Sequence, residues 1–123
     1  MVFEGGGTKE GAPTVTIDGD GRRGPSPMLT LLLALAGCSG SDIVHVMGKM
    51  RVDLRRLTID VEGTRRDEEP RRYTAIRLRY RLEGDGLDEP KAERAVRLSL
   101  EKYCSVAHSL APDIEIHYEI EIA

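Results

Sequence analysis

The feature that most constrains this chain is an apolar run from Met28 to Gly37, which reads MLTLLLALAG. The run is hydrophobic around the whole helix, and a helix without a polar face must be buried on every side. The pattern continues to Met50 and predicts one helix of roughly 20 residues, with Pro27 in its first turn. A short chain can bury such a helix only by wrapping its other elements, or a second subunit, around it.

The composition narrows the class of protein. The chain has 123 residues, of which 40% are hydrophobic, and this predicts a single domain over residues 1–123. The net charge of −3 gives no whole-chain reason to expect nucleic-acid binding. Two cysteines, Cys38 and Cys104, are too few for a disulfide scaffold. In a reducing compartment they indicate free thiols, a redox pair or part of a metal site.

Alternating segments surround the central helix and set the domain organisation. We expect a short N-terminal hairpin over residues 1–23 and the central helix within residues 24–50. Residues 51–123 are expected to form a ββααβ arrangement. Later strands are expected where apolar and polar residues alternate, at 57–62, 76–82 and 114–122. The predicted order is ββ-α-ββ-α-α-β, an α+β fold whose sheets each have one covered face.

The two C-terminal helices have clear boundary signals. Asp88 is expected to cap a helix with Pro90 in its first turn, and the helical spacing continues to about Tyr103. A second, short helix is expected after Cys104, ending before Pro112. Cys104 therefore lies at a junction between two helices.

Charged residues occupy the polar sides of two predicted strands. One strand presents three arginines and the last strand presents glutamates: Arg77, Arg79, Arg81, Glu115, Glu119, Glu121. Opposite charges on adjacent strands attract mildly, so the two faces are expected to be neighbours. A solvated face is the favoured interpretation, and a surface for an anion or nucleic acid is the alternative.

A targeting signal must also be weighed. The sequence LAGCS at 35–39 resembles a bacterial lipoprotein cleavage box, which would make Cys38 a lipidated N-terminus. The preceding segment carries Glu4, Glu10, Asp18 and Asp20, whereas a leader is basic. The uninterrupted apolar run is also shorter than the roughly 18 residues of a membrane span. We therefore expect a cytoplasmic protein without a membrane partner, and the lipoprotein stays as an alternative.

The cysteines are the candidates for chemistry. A cysteine inside an apolar helix is most often a small buried hydrophobe, but the small residues around Cys38 leave room for a reactant. Cys104 precedes a short helix, whose N-terminus lowers a thiol pKa. Asp42 follows Cys38 by one helical turn. A zinc site of Cys38, His45, Cys104 and His108 is a weak alternative because no short C-x-x-C or H-x-x-x-H unit is present.

Two motifs carry a family resemblance. GPSPM at 24–28 with LLLALAGC at 31–38, and EKYCSV at 101–106, resemble the segments around the two cysteines of the OsmC/Ohr family (osmotically inducible protein C and organic hydroperoxide resistance proteins). Element order and cysteine separation also fit. The resemblance extends from about residue 13 to the C-terminus.

The resemblance implies a fold and an activity. The fold is an intertwined homodimer, in which antiparallel sheets wrap around the long central helices. The activity is reduction of organic hydroperoxides in bacterial oxidative-stress defence. Cys38 would attack the peroxide, Cys104 would close a disulfide with it, and an external dithiol would reduce that disulfide. No cofactor or metal is implied.

The sequence departs from the family in two charged residues. Active members carry a glutamate near the start of the central helix, where this chain has Met28 and Leu29, and an arginine where it has Thr8. Lys9 could replace the charge of that arginine. Arg22 and Arg23 lie nearby in the sequence, without a matching motif, and are the other candidates to stabilise the Cys38 thiolate. The alternative function is therefore an OsmC-fold protein without efficient peroxidase activity, used for redox sensing or small-ligand binding.

Overall fold

The sequence patterns are realised as helices and strands in a computed structural model that describes residues 1–123. In chain order they are β1 (Val2–Gly6), β2 (Thr14–Asp18), α1 (Pro27–Lys49), β3 (Asp53–Arg65), β4 (Tyr73–Asp85), α2 (Glu89–Leu98), α3 (Ser105–Ser109) and β5 (Glu115–Ile122). A π-helical turn over Ser99–Tyr103 continues α2. The predicted order and the α+β class are confirmed. The residues cluster into two units, Met1–Leu33 and Ala34–Ala123.

The first unit holds the predicted hairpin and the start of α1. Strands β1 and β2 pair antiparallel, with Val2 opposite Asp18. The Asp18 carboxylate accepts hydrogen bonds from the backbone N–H groups of Asp20, Arg22 and Arg23, and these bonds lower the pKa of that carboxyl. The hydroxyl of Ser26 then accepts the Leu29 N–H at 3.1 Å, which caps the helix that begins at Pro27. Side-chain caps thus fix both the turn and the start of α1.

The second unit is built on a three-stranded sheet in the order β3-β4-β5. The β3–β4 pairing is antiparallel, as expected, whereas β5 lies parallel to β4. A parallel neighbour requires a crossover, and α2 and α3 supply it. The middle strand provides most of the sheet's core, because its inner side chains are almost fully buried: Tyr73, Ile76, Leu78, Tyr80, Leu82.

The outer face of this sheet is a ladder of alternating charge. Register places Arg81 beside Glu121, and Arg79 between Asp60 and Glu119. Arg81 Nε lies 3.0 Å from a Glu121 carboxylate oxygen, and Arg79 also reaches Glu119 at 3.5 Å. The prediction that the arginine face and the glutamate face are neighbours is confirmed. Because each arginine faces acidic groups, the solvated interpretation is favoured over an anion-binding surface.

Helix α2 begins and packs as its sequence predicts. The Asp88 side chain accepts the Lys91 N–H at 2.9 Å, and Ala92, Ala95 and Val96 are buried. The π-helical turn then brings the Cys104 N–H to within 2.7 Å of the Ser99 carbonyl oxygen. The chain leaves the helix in an extended conformation at Cys104 and starts α3 at the next residue.

Helix α1 is only partly covered by its own chain. Leu35, Ile43 and Met47 are fully buried, yet Leu33 and Val44 are 47% and 56% exposed. About a third (33%) of its most apolar 18-residue window is buried, and the helix is long and apolar enough to cross a membrane by length and composition alone. Core helices of soluble proteins share that property. The expectation of burial on every side fails within a single chain.

Candidate active site

The two cysteines come together in the second unit. Cys38 lies in the middle of α1, and Cys104 lies immediately before α3. The two residues are 66 positions apart in the sequence. Their sulfur atoms and a carboxylate oxygen of Asp42 all lie within 4.8 Å of one another. Asp42 joins the pair because it follows Cys38 by one helical turn, which puts both side chains on the same face of α1. These three residues form the thiol cluster.

Local structure fixes Cys104 firmly. It is fully buried, its N–H is bonded to the Ser99 carbonyl, and its sulfur accepts the Ala107 N–H at 3.4 Å. In this arrangement the thiol itself caps the short helix α3, in the position where serine or aspartate is more common. The result is a sulfur with little freedom to move away from Cys38.

Burial outweighs the effect that the helix end was expected to have on the pKa of Cys104. The helix end at Cys104 was expected to lower its pKa, and the Ala107 N–H does act in that direction. Burial is the larger effect, and with the nearby Cys38 sulfur and Asp42 carboxylate it raises the pKa of Cys104 to about 11. Cys104 is therefore a protonated thiol at neutral pH. The expectation that the helix N-terminus lowers the pKa of Cys104 is wrong.

A series of hydrogen-bonded side-chain hydroxyls, the hydroxyl chain, leads to Asp42 of the thiol cluster. Tyr80 OH lies 2.7 Å from Ser39 Oγ, Ser39 Oγ lies 2.9 Å from Ser99 Oγ, and Ser99 donates to Asp42 Oδ2 at 3.0 Å. The first three residues are fully buried, and no buried side-chain polar atom lacks a partner. Burial also raises the pKa of Tyr80 to about 12, so its hydroxyl keeps its proton. The hydroxyl chain links β4, α1 and the π-helical turn, and it holds one oxygen of Asp42 in place.

The glycines on either side of Cys38 have different surroundings. A methyl group added at Gly40 would lie 3.2 Å from the Ile59 side chain of β3. The glycine therefore lets α1 lie tightly against the sheet, two residues after Cys38. A methyl group added at Gly37, the residue before Cys38, would meet no other atom within 4 Å, and Cys38 itself is half-buried.

A cavity of about 750 Å³ opens beside the cluster, between α1 and α2. Asp42 lines this cavity and also belongs to the thiol cluster, so the cavity meets the cluster at the Asp42 carboxylate. Its wall combines apolar side chains with cationic ones, namely Val46, Met50, Leu98, Tyr103, Lys49, Lys91, Arg94. A space of this size and character suits a small organic molecule.

The predicted zinc ligands His45 and His108 are not part of the cluster. His45 follows Cys38 by two helical turns, about 10 Å along the axis, whereas Asp42 is one turn away. Both histidines are exposed on helix surfaces. The weak zinc alternative of Cys38, His45, Cys104 and His108 is therefore wrong in its two histidines, and Asp42 is the residue that sequence reasoning did not assign to the site.

The three candidate cations belong to the first unit. Lys9 lies in the exposed turn between β1 and β2, where its carbonyl accepts the Ala12 N–H at 3.1 Å. Arg22 and Arg23 are exposed, and their backbone amides hold Asp18. Their action on the Cys38 thiolate stays a prediction.

Known proteins share this chain's sequence and fold. The profile of OsmC-like proteins matches residues 18–119. Protein YhfA of Escherichia coli (strain K12) is 38% identical over 109 residues, which cover 88% of this chain and 81% of that protein. A hypothetical protein from Aquifex aeolicus VF5 is 29% identical, with a TM-score of 0.77 over 100% of this chain and 96% of that one.

A more distant structure shows the same fold. The organic hydroperoxide resistance protein OsmC of Legionella pneumophila is 16% identical, with a TM-score of 0.67 over 98% of this chain and 95% of that one. The family profile covers most of the sequence, including both cysteine motifs and Asp42. On this evidence the chain belongs to the family of OsmC-like proteins.

Proposed function

We propose that this protein reduces organic hydroperoxides with its cysteine pair. The observation that carries the proposal is the convergence of the Cys38 and Cys104 sulfurs to within 4.8 Å. Two thiols at that distance can close a disulfide after modest side-chain rotation. Similar folds occur in organic hydroperoxide resistance proteins of Legionella pneumophila and Bacillus subtilis.

Burial assigns a different role to each thiol. Cys38 is half-buried beside an open glycine, whereas Cys104 is fully buried and protonated. The Cys38 thiolate attacks the outer peroxide oxygen, which yields Cys38 sulfenic acid and an alkoxide that takes up a proton to become an alcohol. Cys104 then displaces water from the sulfenic acid and forms the disulfide. A dithiol donates two electrons and two protons to restore both thiols.

The proposal needs no cofactor beyond that dithiol. The cavity beside Asp42 offers the organic part of the peroxide a partly apolar wall, and Val46 and Leu98 contribute to it. A bacterial cytoplasm would supply the reducing partner and would keep both cysteines reduced between turnovers. Nucleic acid and membrane have no part in the scheme.

We also propose that the protein works as a homodimer. The exposed side of α1 combines apolar and small residues, among them Leu33, Gly37, Ser41 and Val44. An apolar helix face of this kind is stable when another copy covers it. Sedimentation at micromolar concentration is expected to show a dimer, and a stable folded monomer would contradict the proposal.

A second candidate function rests on the charges near the thiols. Met28 and Leu29 replace the glutamate of active family members, Thr8 replaces their arginine, and a carboxylate, Asp42, lies in the cluster. Negative charge disfavours a thiolate. This candidate is an OsmC-like protein with slow peroxide chemistry, which senses oxidants or binds a small ligand.

Dithiol-dependent consumption of an organic hydroperoxide tests the main proposal. The reduced wild-type chain is expected to consume peroxide over many turnovers in the presence of excess dithiol. The matched control is the double variant Cys38→Ser with Cys104→Ser, which keeps side-chain size close to the original. Equal rates for the wild type and this variant would reject peroxidase activity and favour the second candidate.

A further inference from the structure

Asp42 has no evident use in the peroxide chemistry. Its carboxylate lies within 4.8 Å of both sulfurs. It therefore opposes the thiolate that attack on a peroxide requires. The surrounding structure nevertheless holds it in place, because Ser99 donates to its Oδ2 from within the buried hydroxyl chain. A carboxylate that is fixed beside two thiols would be stabilised by a cation bound among them.

We propose that the reduced protein binds a zinc ion through the sulfurs of Cys38 and Cys104 and the carboxylate of Asp42. Thiolates and carboxylates are both ordinary zinc ligands. This use of the cluster lies outside the proposed peroxide reduction. It concerns the same residues in their reduced state and requires no peroxide.

The dimensions of the cluster suit the ion. Tetrahedral zinc with bonds to sulfur of about 2.3 Å places two sulfurs about 3.8 Å apart. The three donor atoms already lie within 4.8 Å of one another, so small rotations of Cys38 and Asp42 complete the geometry. Cys104 needs no large movement, because its N–H and its sulfur are both anchored.

The Ser99 hydroxyl supports the same assignment. It bonds to Asp42 Oδ2, which leaves Oδ1 free to bind the metal. Metal-binding carboxylates are commonly hydrogen-bonded in this way, and loss of such a partner lowers metal affinity by about 10- to 100-fold. Ser39 and Tyr80 extend the support into the core.

The charge and proton balance also favour zinc. Binding replaces the two thiol protons with one divalent cation and releases both protons to solvent. The bound set then carries two thiolates and one carboxylate against two positive charges, a net charge of −1. Cys104 is buried, and the cation compensates the thiolate charge that burial alone makes unfavourable. Cys38, Cys104 and Asp42 would supply three ligands, and a water molecule could supply the fourth.

The consequence for the cysteines is direct. While zinc holds both sulfurs, neither can attack a peroxide or close a disulfide. After the metal dissociates, an organic hydroperoxide can oxidise the two thiols to the disulfide and is itself reduced to an alcohol and water, a step that rests on the proposed function. The disulfide has no thiolate ligands and does not bind the metal again. The cluster would therefore exist in a zinc-bound reduced form and a metal-free disulfide form.

Metal titration of the reduced chain tests this proposal in the absence of peroxide. Zinc is expected to bind at about one equivalent per chain and to protect both cysteines from alkylation. Cobalt(II), used as a coloured substitute, is expected to give a thiolate-to-metal charge-transfer band. Absence of zinc binding by the fully reduced protein would overturn the proposal, whatever its peroxidase activity.

Substitutions then identify the ligands. Asp42→Asn retains the shape and an oxygen that accepts from Ser99, so the fold should survive, while zinc affinity is expected to fall by about tenfold or more. Ser99→Ala should lower the affinity by about tenfold. The matched control is Asp67→Asn in an exposed loop, which should bind zinc as the wild type does.

The decisive comparison is between the two aspartate variants. Equal zinc affinity in Asp42→Asn and Asp67→Asn would show a simple dithiol rather than a three-ligand site, and would reject the assignment. Loss of affinity in both cysteine variants, Cys38→Ser and Cys104→Ser, is also required. Retention of the cobalt(II) charge-transfer band at full strength in either one would contradict it.

Discussion

The two cysteine regions differ although their sulfurs lie close together. Cys38 belongs to the middle of a long helix, is half-buried, and has an open glycine on one side. Cys104 lies at a junction between helices, is fully buried, and is held through both its N–H and its sulfur. One thiol is therefore accessible and adjustable, whereas the other is enclosed and fixed.

This difference shows which physical effect controls the pKa of Cys104. Cys104 precedes a helix and receives one N–H, a situation that ordinarily lowers a thiol pKa. The pKa of Cys104 is nevertheless raised to about 11, because the loss of hydration on burial outweighs a single weak hydrogen bond to sulfur. At Cys104 the helix end alone therefore does not activate the thiol. The geometry thus favours attack by Cys38 and resolution by Cys104.

The largest expected effect comes from exchange of one cysteine at a time. Cys38→Ser should abolish peroxide reduction, because the enclosed Cys104 is mostly protonated. Cys104→Ser should still oxidise once per chain and then stop, because no partner thiol resolves the sulfenic acid. Single-turnover assays with a sulfenic acid trap distinguish the two variants. If Cys38→Ser retained turnover and Cys104→Ser lost all reaction, the roles would be reversed.

A second prediction concerns the pH dependence of alkylation at Cys104. Only the thiolate reacts, and a pKa of about 11 keeps it scarce below that pH. The rate should therefore rise about tenfold per pH unit between pH 8 and 10. Peptide mass spectrometry after timed iodoacetamide treatment measures both sites in one sample. Cys38 should be modified first, and a Cys104 rate independent of pH in this range would refute the burial argument.

The smallest expected effect is on stability. Tyr80→Phe removes the hydroxyl that contacts Ser39 under Cys38 and should lower the free energy of unfolding by about 1–2 kcal/mol. Tyr118→Phe is the matched control, because its hydroxyl donates to Glu93 at an exposed position, and its cost should stay within about 0.5 kcal/mol. Urea denaturation at fixed protein concentration compares them. Equal costs would mean that the hydroxyl chain contributes little to the cluster.

Much of the fold follows from local patterns in the sequence. The Pro27 start, the Asp88 cap and the period-two alternation around Tyr80 each predict an element that the structure contains. These signals are local, so a single sequence reveals them. The parallel placement of β5 depends instead on the path of the crossover helices, and the sequence motifs carry no such signal.

The site was predictable in part. The two motifs resembling the family point to Cys38 and Cys104, and the structure brings their sulfurs together. Asp42 could have been chosen from its spacing of four residues after Cys38, since that spacing puts both on one helix face. Ser99 could not, because its hydrogen bond to Asp42 depends on how α2 packs against α1. The acidity of Cys104 likewise depends on burial, which a sequence motif does not state.

The most direct test of the division between the two thiols is the product of a single oxidation. Reduced wild-type protein is treated with one equivalent of an organic hydroperoxide, without added dithiol, and digested for peptide mapping. The expected product is an intramolecular Cys38–Cys104 disulfide, with the intact chain lighter by two hydrogen atoms. Recovery of both cysteines as free thiols, or of Cys104 oxidised while Cys38 stays reduced, would contradict the account.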